Sequence, residues 1–254
     1  MKVSFIGSGN VAYSLATAFY NNGVEVLTVV SRKKENANYL AHKVGAIGTN
    51  MIKDIDPSTE LVFLCVPDDE ILKVSESIKL SGVIQVHTSG SVPLEALKTE
   101  DRGVLYPLQS LTKGVEIDLL QVPILLEANS VKTEVAIDKL SSGISNIVRF
   151  KNSVERRNLH MAAVFANNFT NHLLGISQEL CDENKLDFEF LKPLVIQTVA
   201  KVFSVGANEA QTGPALRGDT RTLEIHKEML SSKPDYLEVY KSISNSIIEN
   251  SRKK

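Results

Sequence analysis

The sequence of 254 residues predicts an α/β half built on a mostly parallel sheet with helices on both faces, followed by an all-α C-terminal half. Three observations predict it. Short β-branched runs alternate with longer polar-apolar stretches up to about residue 150. Several of those runs are nearly continuous in Val, Ile and Leu, as strands are when helices cover both faces of a sheet. After Lys151 the strand-like runs stop and helical periodicity takes over.

Strands are expected at 3–6, 25–30, 61–66, 83–86, 104–106, 123–126 and 147–150. The change of character puts a boundary at 151–155, so the expected domains are 1–152 and 153–254. Helices are expected at 159–180, 188–207, 220–230 and 236–251. In the first of these, Leu159, Ala162, Ala166, Phe169, Leu173, Ile176 and Leu180 recur at alternating steps of three and four, which is one helix face.

Composition narrows the function. Hydrophobic residues make up 43% and charged residues 23%, enough aliphatic material for packed cores. The net charge of -2, with no cluster of Lys and Arg interleaved with aromatics, offers no basic field for a phosphate backbone, so nucleic acid is not an expected ligand. Cys65 and Cys181 have no His or Cys at metal-ligand spacing, which argues against a disulfide framework and a zinc site. Cys65 lies inside an apolar run and reads as a small buried hydrophobe. The apolar N-terminal stretch is too short for a signal peptide or a membrane span, so a cytoplasmic protein is expected.

The run Val3-Ser4-Phe5-Ile6 leads directly into Gly7-Ser8-Gly9-Asn10-Val11-Ala12 and then into a helical stretch at 12–20. This is G-x-G-x-x-A between strand and helix, the context in which it binds a dinucleotide on a Rossmann-type fold. Gly7 permits the tight turn, Gly9 lets backbone approach a pyrophosphate, and Ala12 allows helix and strand to pack closely. The helix start then presents its N–H groups and positive dipole to the phosphates. The end of the second strand chooses the cofactor. An NAD site places a carboxylate there for the ribose 2′-hydroxyl. Here the chain reads Ser31-Arg32-Lys33-Lys34, a hydroxyl and three cations that suit a 2′-phosphate, so NADP is the expected cofactor.

With these motifs the chain resembles the 6-phosphogluconate dehydrogenase-like superfamily, in which a Rossmann domain precedes an all-helical dimerisation domain. The resemblance rests on Gly7 to Ala12, on Ser31-Arg32, and on Val66-Pro67-Asp68-Asp69 after a strand. Within it the chain is most similar to a bacterial branch of NADP oxidoreductases related to pyrroline-5-carboxylate reductases and deazaflavin-dependent NADP oxidoreductases. The marks of that branch are His87-Thr88-Ser89-Gly90-Ser91, His160-Met161-Ala162-Ala163-Val164, and Gly213-Pro214 before Arg217-Gly218-Asp219. The resemblance implies a homodimer paired through the helical half and an active site built partly from its first long helix. Two departures limit what is carried over. The stretch 159–180 has no lysine of the kind β-hydroxyacid dehydrogenases use as a general acid, and the Ser-Gly-rich substrate motif of pyrroline-5-carboxylate reductases is missing.

In open α/β sheets ligands bind outside the carboxyl ends of the strands, which directs attention to the segments just after them. Val66 and Pro67 are expected beside the nicotinamide ribose, with Asp68 and Asp69 equally readable as caps of the next helix. His87 and Ser89 are candidate catalytic groups, with a capped turn before Pro93 as the other reading. Arg217, between breakers, is a candidate anchor for an anionic substrate group, or one partner of a surface Arg-Asp pair. At about 100° per residue, His160, Asn167 and Asn171 share one stripe of the first long helix, with Asn168 at its flank. That helix is expected to be largely buried with one polar line. His160 and Asn167 are therefore expected in the cleft opposite the nicotinamide, Asn167 orienting substrate and His160 donating a proton, with Asn171 beside them.

The function these readings favour is NADP(H)-dependent hydride transfer to or from a small C=O or C=N substrate. The alternative is a non-catalytic NADP(H)-binding sensor or scaffold on a dehydrogenase frame.

Overall fold

The computed structural model describes residues 1–115 and 117–252. It forms two compact units, Met1–Asn168 and Phe169–Lys254. The first unit is an eight-stranded sheet in the order β3-β2-β1-β4-β5-β6-β7-β8. Its strands are β1 (Lys2–Ile6), β2 (Glu25–Val30), β3 (Ile47–Thr49), β4 (Leu61–Leu64), β5 (Ile84–His87), β6 (Arg102–Pro107), β7 (Ile124–Ala128) and β8 (Val148–Phe150). The first six run parallel in the 3-2-1-4-5-6 order of a dinucleotide-binding domain. Strand β7 turns antiparallel to β6, and β8 pairs parallel to β7.

Helices α1 (Asn10–Asn21), α2 (Lys34–Lys43), α3 (Ile71–Ser77) and α4 (Val131–Ser142) connect these strands. Because side chains alternate along a strand, each strand feeds two cores. Phe5, Phe63 and Val86 join Phe19 of α1 and Leu40 of α2 on one face. Ile6, Val62 and Leu64 join Ile71 of α3 on the other. The Phe5 and Phe63 rings stack at 5.1 Å, with Phe19 against Phe63 at 5.3 Å. Seven of the eight strands coincide with the expected runs. Strand β3 was not expected: three residues are too short to show alternation, and Ile47 at this sheet edge is 70% exposed.

Helix α5 (Ser153–Ala163) opens on a full capping box: the Asn152 carboxamide accepts from Val154 and Glu155 N–H, and the Glu155 carboxylate accepts from Asn152 N–H. A π-helical turn, Val164–Phe169, follows, and then α6 (Thr170–Glu183). The first compact unit runs past the composition change at 152 into this turn, because polar contacts of Ser153, Arg156 and His160 tie α5 to it.

The second unit holds α6, α7 (Lys192–Val205), the one-turn helices α8 (Ala207–Ala210) and α9 (Pro214–Arg217), α10 (Thr220–Met229) and α11 (Pro234–Ser251). Asp219 caps α10 by accepting from Thr222 N–H, whereas α11 starts on Pro234 at its first turn with no side-chain cap. The expectation of a largely buried first long helix is overturned here. Neither α6 nor α7 has a buried residue, and Phe169, Leu173, Leu194, Ile196 and Phe203 are all exposed. The apolar face of α6 is present, and Leu173, Ile176 and Leu180 on it share a groove with Leu223 of α10 and Val239 and Ile243 of α11 without being fully buried by them. Among the described residues no helix is long and apolar enough to cross a membrane, and no cluster of metal-ligating side chains occurs.

Candidate active site

The glycine turn after β1 is dictated by sterics. Gly7 has φ +117°, and a Cβ there would lie 2.1 Å from the Cys65 carbonyl oxygen, so no other residue fits without displacing the backbone just after β4. Gly9 is the extended N-cap of α1 and has no side chain to occupy the helix end. The first helical bond runs from Tyr13 N–H to the Gly9 carbonyl at 2.9 Å, leaving the preceding N–H groups outside the ladder. The first turn of α1 carries no acidic residue that would repel an anion.

A cavity of about 700 Å³ opens at this turn, at the carboxyl ends of β1, β2 and β4. Gly7, Ser8, Gly9, Ser31, Arg32, Val66 and Pro67 line it, as expected. The Ser8 hydroxyl donates to the Ser31 hydroxyl at 2.8 Å, joining the pyrophosphate turn to the end of β2. Asn10 and Val11 are not in the wall; they form the first turn of α1, and the Asn10 carboxamide accepts from Lys113 N–H at 3.1 Å. Asn36, Asn50 and Cys65 also line the cavity and were not expected there. Burial pushes the Cys65 thiol up to about 12, so it is held protonated in the cavity wall. A dinucleotide fits this site: the wall is glycine where backbone must approach, with hydroxyls and a cation from Ser8, Ser31 and Arg32 beside it.

The second group of polar residues lies at the ends of β4, β5 and β6. Asp68 does not cap the helix that follows; its carboxylate accepts from the Ser91 hydroxyl, tying the turn after β4 to the loop after β5. In that loop the Ser89 hydroxyl accepts from Ser91 and Val92 N–H, both at 3.1 Å, and sits 3.3 Å from the Ser91 hydroxyl. Ser89 therefore shapes the turn. His87 needs a plainer correction. It is 0% exposed, so it cannot touch a substrate. Its Nδ1 accepts from Ser89 N–H at 3.2 Å, which puts the ring proton on Nε2; that atom makes no well-aligned hydrogen bond, although the Pro93 backbone lies close enough to favour protonation slightly. Burial, helped by the Arg156 cation, pulls His87 down to about 3, so the ring is a neutral support beneath the loop.

Arg156, which the sequence did not single out, is the keystone of this region. Its side chain is 1% exposed and ion-pairs with Glu127 of β7. The same guanidinium donates to the Ser89 carbonyl at 3.1 Å and to the Val92 carbonyl. Glu127 in turn accepts from the Ser153 N–H and hydroxyl. One planar fork thus fixes the β5 loop to the start of α5.

His160 is brought to the strand ends. Its Nδ1 lies 2.9 Å from the hydroxyl of Tyr106, at the carboxyl end of β6, with the rings edge to face. Gly90 closes the cluster: a Cβ there would lie 2.7 Å from His160 Nδ1 and 2.8 Å from Tyr106 Cζ. Asn167 is exposed within the π-helical turn, and Asn171 and Arg217 are exposed in the second unit. The expected stripe assumed an unbroken α-helix. The π turn advances less per residue, so the arithmetic that aligned Asn167 and Asn171 with His160 fails after Ala163. Asp219 is occupied by Thr222, which accounts for its lowered pKa.

Fold and cavity define a nucleotide-binding oxidoreductase of the Rossmann type. Residues 2–89 match the family described as NADP oxidoreductase, coenzyme F420-dependent, and residues 122–247 match a domain of unknown function, DUF2520. The structure of a "putative NADP oxidoreductase", BF3122 from Bacteroides fragilis, is 34% identical, with 98% of each chain covered and a TM-score of 0.92. This chain belongs to the same family of oxidoreductases. Two more distant structures share the fold. A pyrroline-5-carboxylate reductase from Coxiella burnetii is 15% identical over 99% of this chain and 97% of its own, with a TM-score of 0.57. A reductive aminase from Aspergillus terreus, solved with NADPH and ethyl-5-oxohexanoate, is 14% identical over 98% and 94%, with a TM-score of 0.73. No curated protein matches the sequence.

Proposed function

We propose that the chain is an NADP(H)-dependent reductase acting on a small C=O or C=N compound. The observation that carries the cofactor is the end of β2, where Ser31 and Arg32 line the cavity and Ser31 is held by Ser8. The bound nicotinamide would supply or take up hydride. Gly7, Gly9 and the start of α1 would hold its pyrophosphate, Ser31 and Arg32 the 2′-phosphate, and Val66 and Pro67 would flank the ribose next to the nicotinamide. Asn167, exposed within the first unit, would orient the polar end of the substrate. Support for C=N or C=O chemistry comes from the fold shared with the reductases named above.

Calorimetry tests the cofactor: NADPH should bind more tightly than NADH, and Arg32→Ala should weaken NADPH by about 1.5–3 kcal/mol, roughly 10- to 150-fold, while leaving NADH nearly unchanged. Equal affinities in the parent protein would remove the basis for NADP. Turnover of NADPH against imines, oxo acids and aldehydes, with and without an added deazaflavin, tests the chemistry.

We further propose that the chain is a homodimer paired through the second unit. The bare apolar surface of α7 supports it, with Phe203 87% exposed and Leu194 64% exposed. Light scattering should report a dimer at micromolar concentration, and Phe203→Glu should shift it towards monomer. A monomeric parent protein would end this assignment.

A further inference from the structure

We propose that Tyr106 is the proton donor to the reduced group and that His160 is the residue that positions it, an assignment that rests on the reading of the chain as a hydride-transferring reductase. Tyr106 stands at the carboxyl end of β6, on the same edge of the sheet as the cavity and next to the two joined turns after β4 and β5. It is half-buried, its hydroxyl is 2.9 Å from His160 Nδ1, and Gly90 presses on both rings. Ser89, Ser91 and Asp68 are bonded to one another within the loops, and His87 is sealed beneath them. Tyr106 thus brings to this edge a phenolic proton that the hydrogen bonds among Ser89, Ser91 and Asp68 do not use.

The proposal requires one tautomer of His160. A phenol has one proton. If His160 Nδ1 accepted it, none would remain for a substrate. With the proton on Nδ1, His160 donates to the Tyr106 oxygen and the phenolic proton points away from the imidazole. As the carbon of C=O or C=N gains a hydride from a reduced nicotinamide, the π electron pair passes to the oxygen or nitrogen. That atom takes the Tyr106 proton, and the phenolate left behind keeps the Nδ1–H hydrogen bond until solvent returns a proton. Burial holds the Tyr106 phenol above its ordinary range, the Arg156 cation opposing this and the Asp68 carboxylate adding to it. Tyr106 is accordingly protonated between turnovers and acts as an acid.

The test uses the full-length protein with NADPH and the imine, oxo-acid and aldehyde panel. Tyr106→Phe should lower kcat by about 10²- to 10⁴-fold with the NADPH Kd unchanged. His160→Phe should lower kcat, whereas His160→Asn, which can place an amide N–H near Nδ1, should recover part of it. A second readout needs no turnover. In tyrosine labelled with ¹³C at Cζ, the Tyr106 titration midpoint should rise on His160→Phe and return towards the parent value in His160→Asn. Arg156 and Asp68, the charged groups acting on the phenol, are the same in all of these variants. If Tyr106→Phe keeps the parent kcat, or if the Tyr106 titration ignores both His160 substitutions, the proton-donor assignment is overturned and the reductase reading stands. A parent protein that binds NADPH yet reduces nothing in the panel overturns the reductase reading, and the assignment with it.

Discussion

Arg156→Met should destabilise the first unit by about 3–5 kcal/mol, the cost of breaking a buried ion pair by removing one partner. Methionine keeps much of the side-chain bulk, so the loss comes from the polar partners it abandons. Glu127 would keep its bonds to Ser153 but lose its counter-charge, and the Ser89 and Val92 carbonyls would lose their donor. Urea unfolding should show a lower midpoint with an unchanged slope. Adding Glu127→Gln should restore part of the loss, since the pair is coupled. Calorimetry should show NADPH binding retained, because Arg156 is not in the cavity wall. An unfolding midpoint equal to that of the parent would refute the keystone role.

The second large effect is acid lability, and it comes from His87. Its folded-state pKa of about 3 lies below its ordinary value of 6.5, so below pH 6.5 the unfolded chain takes up a proton that the folded chain refuses. Stability is therefore complete above pH 6.5 and is lost as pH falls from there towards 3, by up to about 1.4 kcal/mol per unit. Carboxylates held by partners, Asp101 and Glu155 among them, contribute with the same sign but only near their own, lower range. Between pH 6.5 and roughly 5 the slope should thus follow His87. Urea midpoints measured across this interval should fall in the parent protein and flatten in His87→Asn, which cannot take up the proton. A His87→Asn variant with the parent slope would assign the lability to another group.

Legibility of the site tracked how local each feature was. The nucleotide turn could be read because strand, Gly7, Gly9 and helix are contiguous, and the cavity is lined by seven of the nine residues the sequence nominated for it. Asn36 and Asn50 were not legible: they reach the cavity only through the placement of α2 and β3, and β3 is an edge strand of three residues with no periodicity. Tyr106 was hidden at the end of a strand, read simply as sheet. Arg156 was hidden as an ordinary charged residue in a helix, since nothing nearby in sequence announces that Glu127, Ser89 and Val92 will surround it.

The His87-Thr88-Ser89-Gly90-Ser91 loop shows the same limit from the other side. Its residue types suit catalysis and suit a capped turn equally well, and only solvent exposure separates the two. His87 is 0% exposed and the Ser89 hydroxyl accepts from backbone N–H groups, so both side chains are built into the turn, and the Tyr106–His160 pair stands beside them.

By itself the sequence determined the α/β class, seven of the strands, the strand-turn-helix that receives a nucleotide, and the apolar faces of the later helices. These follow from sterics and periodicity acting over a few residues, which a single chain segment carries with it. Tertiary structure decided the short β3 edge, the antiparallel turn of β7, the π-helical break that takes Asn167 and Asn171 off the His160 stripe, and the burial of Arg156 and His87. The sheet edge, the turn of β7 and the burial of Arg156 and His87 depend on which groups meet across long stretches of chain, and desolvation and hydrogen-bond pairing take their values only when those groups meet.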